Sequence, residues 1–146
     1  MKALRPFVLF FLFLTFFANL QAQTGYKNEY KTQDGVTVLY KLSHEKFFDK
    51  SSPLHLRLKI INNNDYPVEV SFSVFMESGI TDIKKSELVV ICLAPGKSAM
   101  GKLHGLHFDT EVNDIKLFEN NEIEWYIEPL TITKTELCVK KKKANK

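Results

Sequence analysis

The strongest constraint on the fold of this chain comes from two alternating segments separated by a polar turn. In residues 54–60, Leu or Ile occupies every second position, and His, Arg and Lys stand between them. In residues 68–76, Val, Phe and Met alternate with Glu and Ser over most of the segment. A period of two puts successive side chains on opposite faces of a strand, whereas a helix needs apolar residues three and four apart. The segments therefore predict two half-buried β-strands.

The same alternation predicts which side chains face the core. We expect burial of Leu56, Leu58, Ile60, Val70, Phe72, Trp125 and Ile127. We expect exposure of Arg57, Lys59, Glu69 and Ser71. Residues 62–67, Asn-Asn-Asn-Asp-Tyr-Pro, are typical of a tight reversal, because Asn and Asp accept turn conformations and Pro fixes φ. Two alternating segments joined by a short turn predict an antiparallel hairpin.

Weaker strand signals follow along the chain. Residues 36–42 alternate, and residues 88–93 are apolar on both faces, which predicts a central strand or one covered by a loop. Further short strands are predicted at residues 99–103, around 115–117, at 123–127 and at 130–139, with Pro129 marking an edge or a bulge. This spacing of about seven or eight short strands predicts an all-β chain, a single antiparallel immunoglobulin-like β-sandwich.

Two motifs add a resemblance to known domains. Residues 56–70 (LRLKIINNNDYPVEV) and residues 93–98 (LAPGKS) resemble the strand and turn pattern of immunoglobulin-like domains in exported bacterial proteins. They are also similar to the strand pair of bacterial proteinase inhibitors of the BsuPI type. The resemblance implies the fold, and it transfers no reactive loop to this chain.

The ends of the chain differ in composition from its middle. Residues 1–22 combine Lys2 and Arg5 with a long Phe-rich apolar segment and end on Ala22, the order of a secretory signal. A membrane anchor is the alternative, but Asn19 and Gln21 break the apolar run early. We therefore predict export to the periplasm or the extracellular space. The remaining chain divides into an irregular lead-in at residues 23–35, the sandwich domain at 36–139 and a basic tail at 140–146.

The net charge and the basic tail indicate which classes of partner are expected. A formal net charge of +3 over 146 residues provides no broad basic surface, so we expect no nucleic acid partner. The basic tail begins with Lys140, Lys141, Lys142 and Lys143. It suits anionic lipid, polysaccharide or acidic protein, or it is a solvated end, and membrane contact is expected only through this tail or the signal. Cys92 and Cys138 form either a disulfide, which export permits, or two separate buried thiols.

No segment matches a catalytic motif, so we expect neither an enzyme nor a cofactor. His104 and His107 are the one close His pair, with Asp109 and Glu111 nearby, but i and i+3 face opposite sides of a strand. A polar loop is therefore favoured over a metal site. His44 stands alone, and His55 is expected on the solvent face of its strand. Glu122, Glu124 and Glu128 lie near Trp125 and Tyr126, a composition found on sugar-binding and glycosidase surfaces, although solvated carboxylates are the more common reason for it.

These observations favour an exported, non-catalytic binding module whose partner is an unknown protein or polysaccharide. The alternative is an inhibitor of an extracytoplasmic enzyme, and a small hydrolase or metal carrier is the third hypothesis. We expect binding through the long connections 77–86, which carries Ile80 and Ile83, and 104–113. Phe47, Phe48 and Phe75 are apolar where exposure is predicted, either as a contact patch or as cover for a core edge.

Overall fold

The computed structural model describes residues 25–79 and 82–138. The predicted signal, the basic tail with Lys140 to Lys143, and Ile80 lie outside the described residues. For Ile83 the structure describes the backbone position. No helix within the described ranges has the length and apolar composition needed to cross a bilayer.

The described residues form nine strands and one short α-helix. The strands are β1 Asn28–Gln33, β2 Val36–His44, β3 Leu54–Asn62, β4 Val68–Ser78, β5 Asp82–Lys85, β6 Val89–Leu93, β7 Ser98–Met100, β8 His107–Asp109 and β9 Ile123–Lys134. The helix is α1 Lys116–Glu119, and a single 3₁₀ turn covers Lys102–His104. The prediction of an all-β chain is confirmed.

The strands form two antiparallel sheets. In the first sheet β1, β2 and β3 lie side by side, and both β7 and β8 pair with the far edge of β3. In the second sheet β4 is central, with β5 and β6 along one side and β9 along the other. One hydrophobic cluster takes residues from both sheets, an arrangement consistent with a β-sandwich.

The core follows the alternation closely. Of the predicted core residues, Leu56, Leu58, Ile60, Val70, Phe72 and Ile127 are buried. Trp125 is only partly buried and packs against this cluster. Among the positions predicted to be exposed, Glu69 is exposed, whereas Arg57, Lys59 and Ser71 are half-buried.

The predicted hairpin between β3 and β4 is wrong, because the two strands lie in different sheets. Residues 62–67 carry the chain across the core instead of reversing it within one sheet. The Asn62 side chain, fully buried, donates hydrogen bonds to the carbonyl oxygens of Tyr66, Leu93 and Ala94 at 2.9–3.2 Å. Asn62 thereby ties the crossing segment to the end of β6, a long-range contact that alternation does not predict.

The predicted irregular lead-in is also wrong in part, because residues 28–33 form β1 and pair with β2. Asp34 and Gly35 make the two-residue turn, with φ of 47° and 72°. Positive φ at both central positions is the geometry that Asp-Gly favours in tight hairpins. A Cβ at residue 35 would also overlap the Asn64 side-chain amide, which donates to the Asp34 carbonyl at 3.0 Å.

Three further predictions need correction. Residues 88–93 give an edge strand that, among the described residues, pairs only with β4, and Val90 is 41% exposed. The segment around Ile115–Leu117 leads into α1 and is no strand. The two strands predicted at residues 123–127 and 130–139 are one strand, β9, which ends at Lys134. Its register shifts opposite Ser71–Ser73, so Pro129 marks a bulge as predicted.

The two long connections are more ordered than predicted. Asp82–Lys85 pairs with Phe75–Ser78, so the predicted loop 77–86 is mostly one arm of a hairpin. The predicted loop 104–113 contains β8, which pairs with β3. Between β7 and β8 the chain leaves the sheet in the 3₁₀ turn and returns at Leu106, which is fully buried. The pairing of β8 with β3 joins residues far apart in sequence, so local patterns do not predict it.

Candidate functional site

One candidate site is a groove of about 620 Å³ where β1 and β2 of the first sheet approach the start of β9 in the second, called here the Trp125 groove. Its lining comes from the start of β1, the middle of β2, α1 and the start of β9. The lining residues are Gly25, Lys27, Asn28, Tyr40, Lys41, Leu42, Ile115, Phe118, Glu119, Asn121, Ile123, Glu124 and Trp125. The volume falls in the range of small-molecule sites.

Aromatic rings form one wall of the Trp125 groove. The Trp125 ring packs 4.7 Å from the Tyr30 ring centroid and 4.9 Å from that of Tyr40. The Tyr30 hydroxyl accepts a hydrogen bond at 3.1 Å from the backbone N–H of Ile127, so β1 also covers part of the outer edge of β9. Rings held by neighbours in this way offer a rigid apolar surface at little entropic cost.

The rest of the groove is polar and balanced in charge. Two lysines, two glutamates and two asparagines line it, namely Lys27, Lys41, Glu119, Glu124, Asn28 and Asn121. Lys41 also lies 4.6 Å from the Tyr26 ring centroid, and burial together with the nearby Arg57 charge lowers the pKa of Lys41. A groove with equal numbers of both charges and several amide groups suits a neutral, hydroxyl-rich ligand better than an ion.

A second candidate lies on the outer face of the first sheet and comprises His55, His107 and Asp109, called here the His55 cluster. The register places Asp109 opposite His55 and His107 opposite Arg57, so β8 brings these side chains beside β3. One metal-binding atom from each of the three residues lies within 4.8 Å of the others. The His55 and His107 rings are 4.1 Å apart, and His55 Nδ1 lies 2.5 Å from Asp109 Oδ1.

The prediction that His55 faces solvent is wrong, since it is only 5% exposed. Alternation correctly put His55 on the outer face, where the His107 ring and the Asp109 carboxylate of β8 pack beside its side chain. Both ring nitrogens of His55 lack a partner with hydrogen-bond geometry, and so do Ser43 Oγ and Arg57 Nε. Ser43 pairs with His55 in the register, so these unpartnered atoms lie on neighbouring positions of one face.

The charges around the His55 cluster are mixed. Burial, and then the neighbouring His55 imidazole and the Arg57 charge, lower the pKa of His107 below its ordinary value, while Asp109 acts in the opposite direction. Ser43, His55 and Asp109 stand in one row of the sheet, but Ser43 Oγ makes no hydrogen bond with His55 in the described structure. The row consequently lacks the nucleophile–base contact of a hydrolase triad.

The remaining predicted site residues are spread over the surface. His104 lies in the 3₁₀ turn with its Nδ1 3.0 Å from the Met100 carbonyl, and it is outside the His55 cluster. Phe47 and Phe48 are 89% and 95% exposed. Phe75 stacks on Tyr126 at 5.1 Å. Sequence reasoning named His107 and Asp109 as candidate ligands but missed His55, because the pairing of β3 with β8 joins residues far apart in sequence.

Two features lie on the outer face of the second sheet. Cys92 and Cys138 form a disulfide that joins β6 to the segment after β9. The prediction of a strand at Cys138 is therefore wrong, because β9 ends at Lys134. Glu77 accepts a hydrogen bond from the Tyr126 hydroxyl at 2.5 Å, and this bond is the main reason that the pKa of Tyr126 rises to about 12.

No protein-family model matches this chain, and neither a curated protein nor a solved structure matches it significantly.

Proposed function

We propose that the protein is an exported, non-catalytic, immunoglobulin-like β-sandwich that binds a neutral polysaccharide in the Trp125 groove. The observation that carries the proposal is the composition of the groove, which combines the Trp125 and Tyr40 rings with amides, carboxylates and amines in balanced charge. Ring faces pack against the C–H faces of sugars, and the polar groups pair with sugar hydroxyls.

The order of strands supports the immunoglobulin-like part of the proposal. The chain crosses to the second sheet after β3, returns with β7 and β8 beside β3, and crosses again with β9 beside β4. Immunoglobulin domains place strand B next to E and strand C next to F in the same manner. By this correspondence β3 is strand B, β4 is strand C and β9 is strand F.

Two observations support export. The apolar segment at residues 7–18 with its charged start and Ala22 has the order of a cleaved signal. The Cys92–Cys138 disulfide fits an oxidising compartment such as the periplasm or the extracellular space. Neither depends on the ligand.

The test is a binding measurement with a panel of soluble neutral polysaccharides of the β-glucan, xylan and α-glucan types, by affinity electrophoresis. The double variant Asn28→Ala/Glu119→Ala removes two exposed polar side chains from the groove wall. We expect at least a tenfold loss of affinity for the polysaccharide that retards the native protein. Glu69→Ala, an exposed carboxylate remote from the groove lining, is the matched control and should bind as the native protein does.

The inhibitor alternative rests on the predicted binding connection 77–86, within which Asp82–Lys85 of β5 pairs with Phe75–Ser78 of β4. An inhibitor needs a segment that is ordered before it enters an enzyme cleft, and the strand pairing orders the described part of this connection. Stoichiometric inhibition of a panel of secreted proteases, lost on Ile80→Ser/Ile83→Ser, would favour it. Retention of polysaccharide binding in that variant is the result expected from our proposal.

A further inference from the structure

We propose that His55, His107 and Asp109 bind one divalent transition-metal ion of the zinc type on the outer face of the first sheet. This site is separate from the polysaccharide groove, and the argument for it does not depend on the proposed function. It combines two imidazoles with one carboxylate, the donor set found in open zinc sites.

The geometry supports convergence on a common point. One donor atom from each residue lies within 4.8 Å of the other two, and the two imidazole rings are 4.1 Å apart at a tilt of 32°. Zinc bonds of about 2.0–2.2 Å place two ligands of a tetrahedral site about 3.4 Å apart, so closing the site needs small side-chain rotations only. Asp109, whose side chain is 64% exposed, has the freedom to make them.

The burial of His55 is an independent sign of a missing partner. The residue is 95% buried and its Nε2 has no hydrogen-bond partner, while its Nδ1 faces Asp109 Oδ1 at 2.5 Å. Buried polar groups in native proteins are nearly always paired, because an unpaired one has lost its hydrogen bonds to water without replacing them. A metal ion between the two rings and Asp109 would bind the lone pair of the His55 ring nitrogen that carries no hydrogen.

The neighbours of the cluster limit which ion binds and how tightly. Arg57 and Lys102 are the positive groups acting on His107, and they oppose any cation. Lys84 bonds to the Asp109 carbonyl oxygen at 3.3 Å, but its charge is paired with Glu111. With one carboxylate against these charges, a hard ion such as Mg²⁺ has too few oxygen ligands, whereas Zn²⁺ gains from imidazole nitrogen.

An ion bound by these three residues would cross-link β3 and β8. The three-residue strand β8 pairs only with β3 among the described strands. A bond from the metal to His55 on β3 and to His107 on β8 would link them through side chains as well as through the backbone. The ion should therefore raise the melting temperature, since it binds the folded chain preferentially.

The experiment uses tag-free, chelator-treated protein and isothermal titration with ZnCl₂, and CuCl₂ and MgCl₂ as separate arms. We expect one equivalent of Zn²⁺ to bind, Cu²⁺ to bind at least as tightly, and Mg²⁺ not to bind. Asp109→Asn and His107→Ala should each weaken Zn²⁺ at least tenfold and abolish the rise in melting temperature. Asp109 is exposed, so the Asp109→Asn variant retains its fold, which circular dichroism checks.

His104→Ala is the matched control, because it removes an exposed imidazole three residues from His107. It should leave Zn²⁺ affinity unchanged. The proposal is overturned if Zn²⁺ does not bind the native protein, if binding survives unchanged in Asp109→Asn and His107→Ala, or if His104→Ala weakens it equally. None of these results bears on polysaccharide binding, so the two proposals fail separately.

Discussion

The two faces of β3 contrast sharply. On the inner face Leu56, Leu58 and Ile60 are fully buried, as the period of two predicts. On the outer face the same period predicts solvent, yet His55 is only 5% exposed, with the His107 and Asp109 side chains of β8 packed beside it. Local alternation thus identifies the face that turns to the core, but what covers the other face depends on strands distant in sequence.

The first prediction compares the faces by truncation. Leu58→Ala should lower the free energy of unfolding by about 2–5 kcal/mol, because it leaves a cavity in the centre of the core. Glu69→Ala, on the exposed outer face of β4, should change it by no more than about 0.5 kcal/mol. Denaturant titration measures both. Equal losses of unfolding free energy in the two variants would contradict the assignment of Leu58 to the buried face and Glu69 to the exposed face.

The second prediction concerns the outer face of the second sheet, where the disulfide lies. The double variant Cys92→Ser/Cys138→Ser should be less stable by ~4 kcal/mol, the chain-entropy value for a separation of 46 residues. Reduction of the native protein should give a similar loss in the same denaturant titration. A loss below about 1 kcal/mol in both would show that the covalent link adds little to the outer face.

The third prediction concerns the turn that joins β1 to β2. Gly35→Ala should cost more than the ~1–2 kcal/mol of a left-handed backbone, since the new methyl group also meets the Asn64 amide. Gly96→Ala is the control, because Gly96 has a similar φ of 63° with nothing within 4 Å of its Cβ position. Thermal melting of both variants measures the difference. If Gly96→Ala is equally destabilising, the contact with Asn64 contributes nothing.

The smallest effect concerns Tyr126 on the outer face of β9. Its pKa is raised from 10.0 to about 12, so its contribution to stability is complete below pH 10 and is lost as the pH rises from 10 to 12. The difference in ultraviolet absorbance between the native protein and Tyr126→Phe isolates this titration. Glu77→Gln should move it back towards the ordinary pKa, and an unchanged midpoint would contradict the assigned hydrogen bond.

Much of the fold was predictable from local patterns, and much of its connectivity was not. The inner positions of β3 and β4 and the bulge at Pro129 follow from alternation and from the missing N–H of proline. Strand β1 was predictable in principle, because Asp34-Gly35 is a strong hairpin signal that the polar composition of its surroundings obscured. The crossing between sheets was not, since the Asn62 side chain secures it through residues about thirty positions away.

Each candidate site likewise combines residues that the sequence indicated with residues that only the fold brings beside them. Trp125 beside Glu124 was visible as a sugar-binding composition, but Tyr40 and Phe118 join it only when β2 and α1 close the groove. For the His55 cluster, His107 and Asp109 were visible candidates. Their third member comes from β3, which local spacing cannot supply.

The most direct test of polysaccharide binding in the groove is the fluorescence of Trp125, the one tryptophan of the chain. Because this ring lines the groove, its emission reports occupancy without interference from another tryptophan. We predict a saturable change on titration with a polysaccharide from the neutral panel, and a midpoint shifted at least tenfold in Asn28→Ala/Glu119→Ala but not in Glu69→Ala. No saturable change with any member of the panel, or an identical midpoint in the groove variant, would contradict the account.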